Sequence, residues 1–121
     1  MKFTEDLDKS KNTITGYEKD CIYVNNKIIK KPFTLAPDAL VLWEAEAFTD
    51  FNNTHIDQIE ALKPEVIIIG TGEKHLFLDH SLLKKLVALG IGYEIMTTSA
   101  ACRTYNILIS EDRRVVAALF Q

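Results

Sequence analysis

The run Val66-Ile67-Ile68-Ile69, closed by Gly70, constrains the fold more than any other stretch. A strand with one wet face alternates apolar and polar residues. An uninterrupted β-branched run fits a strand covered on both faces. Such a strand lies inside a sheet and needs a packed layer on each side. Downstream, Leu82, Leu83, Leu86, Val87 and Leu89 fall at helical spacing, with Asp79 or Ser81 as N-cap and Gly90 as the stop. Tyr93-Glu94-Ile95-Met96 is a short strand, and Thr97-Thr98-Ser99 offers caps for a helix from Ala100 to about Ile109. Val115–Leu119 is the last strand. Ile107, Ile109 and a turn at Glu111-Asp112 leave a hairpin open over 106–119, but the caps and Ala100-Ala101 favour helix. Strand-helix-strand alternation after residue 54 predicts parallel pairing at the sheet centre.

The first half of the chain reads differently. Ile14–Tyr17, Cys21–Val24 and Lys27–Lys30 have strand character, and Asn25-Asn26 suits a two-residue hairpin turn because asparagine tolerates positive φ. Pro32 ends the third strand. Phe33-Thr34-Leu35 is extended, Pro37-Asp38 is a turn, and Leu40–Trp43 is a further strand. Thr54 followed by Asp57 resembles a capping box for a helix through Ile56, Ile59, Ala61 and Leu62 that stops before Pro64. The expectation is a three-layer α/β domain over residues 14–121, with a central mixed β-sheet, helices on both faces and an N-terminal antiparallel β flank. Residues 1–13 read as a flexible polar arm.

Composition narrows the function classes. The 121 residues are 47% hydrophobic and 26% charged, an ordinary globular balance. A net charge of −3 argues against nucleic acid as a partner. The basic runs Lys27–Lys31 and Arg113-Arg114 read as solvated strand ends. Two cysteines, Cys21 and Cys102, make neither a disulfide framework nor a zinc site and suit a reducing compartment. No apolar run approaches the ~20 residues of a membrane span. Glu5, Asp6 and Asp8 do not suit a transit or secretory leader, so the chain reads as cytoplasmic.

Each candidate for chemistry has a plainer structural reading. Gly70-Thr71-Gly72 leaves a buried strand as a dinucleotide fingerprint does, and Glu94 lies at about the spacing of a ribose-binding acid. The third glycine position is His75, however, and the next helix starts too late to face a phosphate. A tight strand exit explains the glycines. Thr97-Thr98-Ser99 could hold an anion at a helix N-terminus, or simply cap it. Cys102, in the first turns of that helix, could be a nucleophile, but no local signature ties His55, His75 or His80 to it as a base. His75, His80 and Asp79 lack a further ligand at zinc spacing. Tyr105 and Asn106 could bond to neighbouring loops, and Trp43 is a core or interface anchor. No catalytic residue, cofactor or metal site is assigned. If the strands ending at Gly70 and Met96 are parallel neighbours, both loops leave at one sheet edge, where open α/β sheets place ligands.

Taken together, these motifs resemble the family of mitochondrial respiratory complex I assembly factor 3, whose bacterial and archaeal members are small stand-alone domains. The resemblance runs from about Ile14 to Leu119. It is carried by Tyr17, Val24-Asn25, Pro37, Trp43, Pro64-Glu65-Val66, Gly70-Thr71-Gly72, Gly90-Ile91, Glu94, Met96-Thr97, Ala101-Cys102, Thr104-Tyr105-Asn106 and Ala117-Ala118-Leu119. It implies a three-layer fold and a non-enzymatic, protein-contact role. It maps a ligand-or-partner cleft onto Gly70, Thr71, Gly72, Thr97, Cys102, Thr104, Tyr105 and Asn106, to which Thr98 is added as the neighbouring cap. The leading expectation is therefore an interaction or assembly domain with protein partners, with Trp43 as an interface anchor. The rival is a small-molecule binder or cryptic enzyme using the Gly70/Thr97/Cys102 cleft, and a homo-oligomer completing that cleft is the third reading.

Overall fold

The computed structural model describes residues 11–121. Three strands, β1 (Ile14–Glu18), β2 (Cys21–Val24) and β3 (Lys27–Ile29), form an antiparallel meander. Asn25 and Asn26 join β2 to β3 with φ of 48° and 71°. Two successive positive φ values are what a type I′ hairpin turn demands.

The second sheet has five strands: β4 (Phe33–Ala36), β5 (Ala39–Leu42), β6 (Val66–Gly70), β7 (Gly92–Met96) and β8 (Val115–Leu119), in the order β5-β4-β8-β6-β7. β6 runs parallel to both β7 and β8, while β4 pairs antiparallel with β8 and with β5. The centre is therefore parallel, as the alternation predicts, and the β4–β5 hairpin supplies the antiparallel edge. α1 (Asn53–Ala61), α2 (His80–Ala88) and α3 (Thr98–Ser110) complete the chain, with a short 3-10 helix at Phe48–Asp50. The choice of helix over hairpin for 106–119 holds, since α3 runs to Ser110 before β8 begins.

Alternation along β6 and β8 sorts two cores. Ile68, Val115, Ala117 and Leu119 face α3 and the small sheet, where Ala101, Tyr105, Ile109, Ile14, Ile22 and Val24 meet them. Ile67, Ile69, Val116 and Ala118 face Ile56, Ile59 and Leu86 of α1 and α2, together with Trp43, Phe48, Phe51 and Phe120. β6 and β8 are covered on both faces, which is why neither alternates.

The cap of α1 is Asn52, two residues before the Thr54 of the expected Thr54/Asp57 box. The Thr54 N–H donates to Asn52 Oδ1 at 2.9 Å, and the Asn52 N–H donates to His55 Nδ1 at 3.1 Å. A histidine thus takes the reciprocal role usually given to Glu or Gln. Asp79 caps α2 as expected, accepting from the Ser81 N–H, and Gly90 follows α2 at φ 71°.

Residues 1–10 of the expected arm lie outside the described residues. The rest of it is tied down: Asn12 donates through its side chain to Ala36 and Ala39 carbonyls and through its N–H to Pro37, and Tyr105 Oη donates to the Asn12 carbonyl at 2.8 Å. Asn106 fastens the small sheet to the larger body. Its Oδ1 accepts from the Ile14 N–H at 3.0 Å and its Nδ2 donates to the Ile14 carbonyl at 2.7 Å, all in a buried setting. Asn106→Ala strands both buried groups of Ile14, at a cost of roughly 1–3 kcal/mol each where water does not reach them. Urea unfolding should show a clear fall in midpoint; an unchanged midpoint would show that Asn106 does not fasten the sheets.

Candidate functional site

Gly70 ends β6 on the face that carries α3. A Cβ built there would lie 2.9 Å from Thr98 Oγ1, 3.0 Å from Thr98 Cα and 3.1 Å from Ala101 Cβ. Only glycine permits this approach. Thr98 is fully buried, and its hydroxyl accepts from the Gly72 N–H at 2.8 Å while donating to the Phe120 carbonyl. The Thr98 N–H in turn donates to the Gly72 carbonyl, and the Thr71 N–H to the Met96 carbonyl, both at 2.9 Å. Gly72, at φ 109°, turns the chain away.

The loops after β6 and β7 therefore converge, as parallel neighbours must. What they form is a closed seam. Gly70, Thr71, Gly72, Thr97 and Thr98 meet there, and Thr98 and Ala101 fill the space beside Gly70. Thr71 Oγ1 accepts from the Leu76 N–H and donates to the Lys74 carbonyl, folding the outgoing loop back on itself. Thr97 precedes α3 without a side-chain cap bond.

The remaining cleft candidates lie deeper or elsewhere. Cys102 is fully buried between sheet and helix, and burial pushes its thiol up to about 12. It is a neutral, apolar-packed thiol throughout the physiological range. Tyr105 is fully buried, its phenol raised above the usual range first by burial, and Asn106 is the fastening already described. Thr104 is half-buried, with its hydroxyl 3.5 Å from Met96 Sδ. Trp43 is 2% exposed and sits in the second core, its ring 4.1 Å from that of His55 at 18°. Among the described residues no group of three or more His, Cys, Asp or Glu is placed to hold a metal.

Open space lies one step outward, along the loop that leaves the seam. One cavity of about 300 Å³ is lined by Thr71, Gly72, Lys74, Leu76, Phe48 and Phe120 among others. A second, of about 380 Å³, is lined by Phe48, Phe51, Leu76, Phe77, Leu78 and Leu82, with Thr49 and Asp79 at its rim. Phe48, Thr49 and Leu76 border both, so the two form one groove between the 3-10 helix and the 71–79 loop. Beside it Phe77 is 87% exposed, touching the His75 ring edge-on at 5.2 Å. Of the expected cleft, Thr71 and Gly72 line this groove. Sequence reasoning passed over Leu76, Phe77 and Phe48. The available signal was an apolar triplet, Leu76-Phe77-Leu78, in a stretch with no strand or helix to bury it.

The geometry defines a class: a three-layer α/β domain whose glycine exit and Ala-Cys-x-Thr-Tyr-Asn helix hold sheets and helix together. The chain belongs to the family described as "Protein of unknown function (DUF498/DUF598)", whose profile matches residues 14–120. The NADH dehydrogenase [ubiquinone] 1 alpha subcomplex assembly factor 3 of Xenopus tropicalis is 31% identical over 108 residues, covering 88% of this chain and 59% of that protein. The chain thus spans about three-fifths of that relative's length. A "13 kDa major membrane protein" of Francisella tularensis is 40% identical over 62 residues, covering 51% of this chain and 50% of that protein. A crystal structure of a Bordetella parapertussis protein superposes with a TM-score of 0.85 at 36% identity, covering 92% of this chain and 96% of that one. No described helix here is long and apolar enough to cross a membrane.

Two outcomes follow from the closed seam. Gly70→Ala forces α3 away from β6 and should destabilise the protein by about 1–3 kcal/mol; a chemical-denaturation midpoint equal to that of the native protein would contradict the close approach. Cys102 should resist iodoacetamide at pH 8 in the folded protein and react once urea unfolds it. Peptide mapping by mass spectrometry checks this, and rapid native labelling would mean that the core beside α3 opens.

Proposed function

We propose that this chain is a non-catalytic interaction domain of the assembly type, working in the cytoplasm on protein partners through the 71–79 loop. The observation that carries the reading is Phe77, a large aromatic side chain 87% exposed on the rim of an apolar groove. Exposed aromatic anchors beside an apolar hollow are what binding surfaces use, because one ring removes much apolar area from water at low conformational cost. The name of the Xenopus tropicalis relative, an assembly factor, supports the same reading. So does the buried, neutral thiol of Cys102, which has no place in a nucleophilic mechanism. The net charge of −3 favours protein over nucleic acid as the partner. A second copy of the chain is one partner that the same face could take.

A photo-crosslinking amino acid at position 77 tests this in native lysate, with the same group at exposed Ile107 as the control face. The expected result is one defined adduct from position 77, absent from 107, and suppressed by Leu76→Ser without a change in unfolding midpoint. Equal or diffuse labelling from both positions would overturn the assignment of this face.

A further inference from the structure

We propose that His55 is a proton-operated latch on the turn 48–52, the segment that walls the groove on the side away from the 71–79 loop. The inference concerns regulation of the face assigned above, and its consequence for binding rests on that reading. Its spectroscopic test does not.

The latch is built from three contacts. His55 is 7% exposed, and its Nδ1 accepts the Asn52 N–H at 3.1 Å, so the single proton of the neutral ring belongs on Nε2. Its ring lies on Trp43 at 4.1 Å and 18°, and is stacked with Phe51 at 5.7 Å and 12°. The turn it holds carries Phe48 and Thr49, which border both parts of the groove, and Phe51, which borders one.

A second proton on the ring turns Nδ1 from acceptor to donor. Two N–H groups then point at each other, and the Asn52 bond is lost. The charged ring itself has reason to stay. A cation over the face of Trp43 is attracted by it, and the Asp50 carboxylate favours the charged form. The group that gives way is therefore the Asn52 amide, and with it the His55 half of the α1 cap and its hold on the turn before it. The other charged groups around this end of α1 are Asp50, which accepts the Glu46 and Ala47 N–H groups, Lys85 of α2, which reaches the Asn53 carbonyl at 3.3 Å and Asp57 at 2.7 Å, and Lys31, Glu44 and Glu46, which line a hollow with Asp50 and Asn52.

Burial holds the His55 pKa below its ordinary 6.5 and outweighs the Asp50 carboxylate, which pulls the other way. The unfolded chain therefore binds this proton more readily than the folded one. The stability linked to His55 is complete above pH 6.5 and is lost as pH falls through the lower folded value.

Trp43 is the only tryptophan, so its emission reports the stacked pair alone. Imidazolium accepts electrons from excited indole and quenches it. Titration from pH 8 to 4.5 should lower Trp43 emission in a one-proton step with its midpoint below 6.5, while far-UV circular dichroism stays constant. The amide resonance of Asn52 should shift with the same midpoint, and both changes should vanish in His55→Gln. Flat emission overturns the latch, as does a step that survives in His55→Gln or coincides with loss of secondary structure. Should that variant not fold, the wild-type Asn52 amide decides alone, since an amide that ignores the His55 titration overturns the proposal. A face that binds nothing would leave the titration intact, so the two readings fail separately.

Discussion

The hydroxyl of Thr98 sits where the last turn of β6, the first turn of α3 and the end of β8 meet. It accepts from the Gly72 amide and donates to the Phe120 carbonyl, with no exposed surface of its own. That contact exists only because Gly70 has no Cβ to hold α3 off. Buried backbone groups left unpaired cost about as much as a lost hydrogen bond. This one side chain therefore settles two of them at the crossing where three elements would otherwise splay. The packing of Ala101 and Cys102 against Ile68, Ala117 and Leu119 follows from that closeness, and so does the approach of Tyr105 and Asn106 to the N-terminal segment.

This arrangement sets the open groove apart from the seam that holds the fold together. Ligands of open α/β sheets usually sit beyond the carboxyl ends of the parallel strands. Here that position is closed by the seam, and an apolar groove opens one loop further out, between residues 71–79 and the opposing 3-10 helix. An aromatic cluster of Trp43, Phe48, Phe51 and Phe120 stiffens the wall behind that surface. The single titratable ring in that stack, His55, also caps α1, which links a helix start to the shape of the groove.

Much of the fold was legible because its determinants are local. Two asparagines at a hairpin, a β-branched run, Asp79 before a helical stripe and Gly90 after it each act within a few residues. The cap of α1 was misplaced because its partner is a histidine, whose Nδ1 can accept a backbone N–H as a carboxylate does. The insertion of β8 between β4 and β6 depends on pairing across the whole chain, which no local pattern encodes. For the site, sequence reading brought the right loops together and expected a cleft. Gly70, one of the expected cleft residues, is the one that lets α3 close it, with Thr98 and Ala101 packed against its bare Cα. Trp43 and Cys102 are equally compatible with core and surface until the layers are assembled, and both are buried. Leu76-Phe77-Leu78 is an apolar triplet too short to show helical or strand periodicity, so nothing local tells a buried segment from an exposed one.

Native-state hydrogen exchange at single-residue resolution tests the closed seam most directly. The amides of Gly72 and Ile14, bonded to Thr98 and Asn106, should exchange only through global unfolding, with the same free energy and denaturant dependence as the whole protein. The amides of His75 and Phe77 should exchange far faster. If Gly72 and Ile14 instead exchange through a low-energy local opening, the seam parts in the native state. The Gly70/Thr97/Cys102 junction would then be an accessible cleft, and the division between structural signature and binding surface would be wrong.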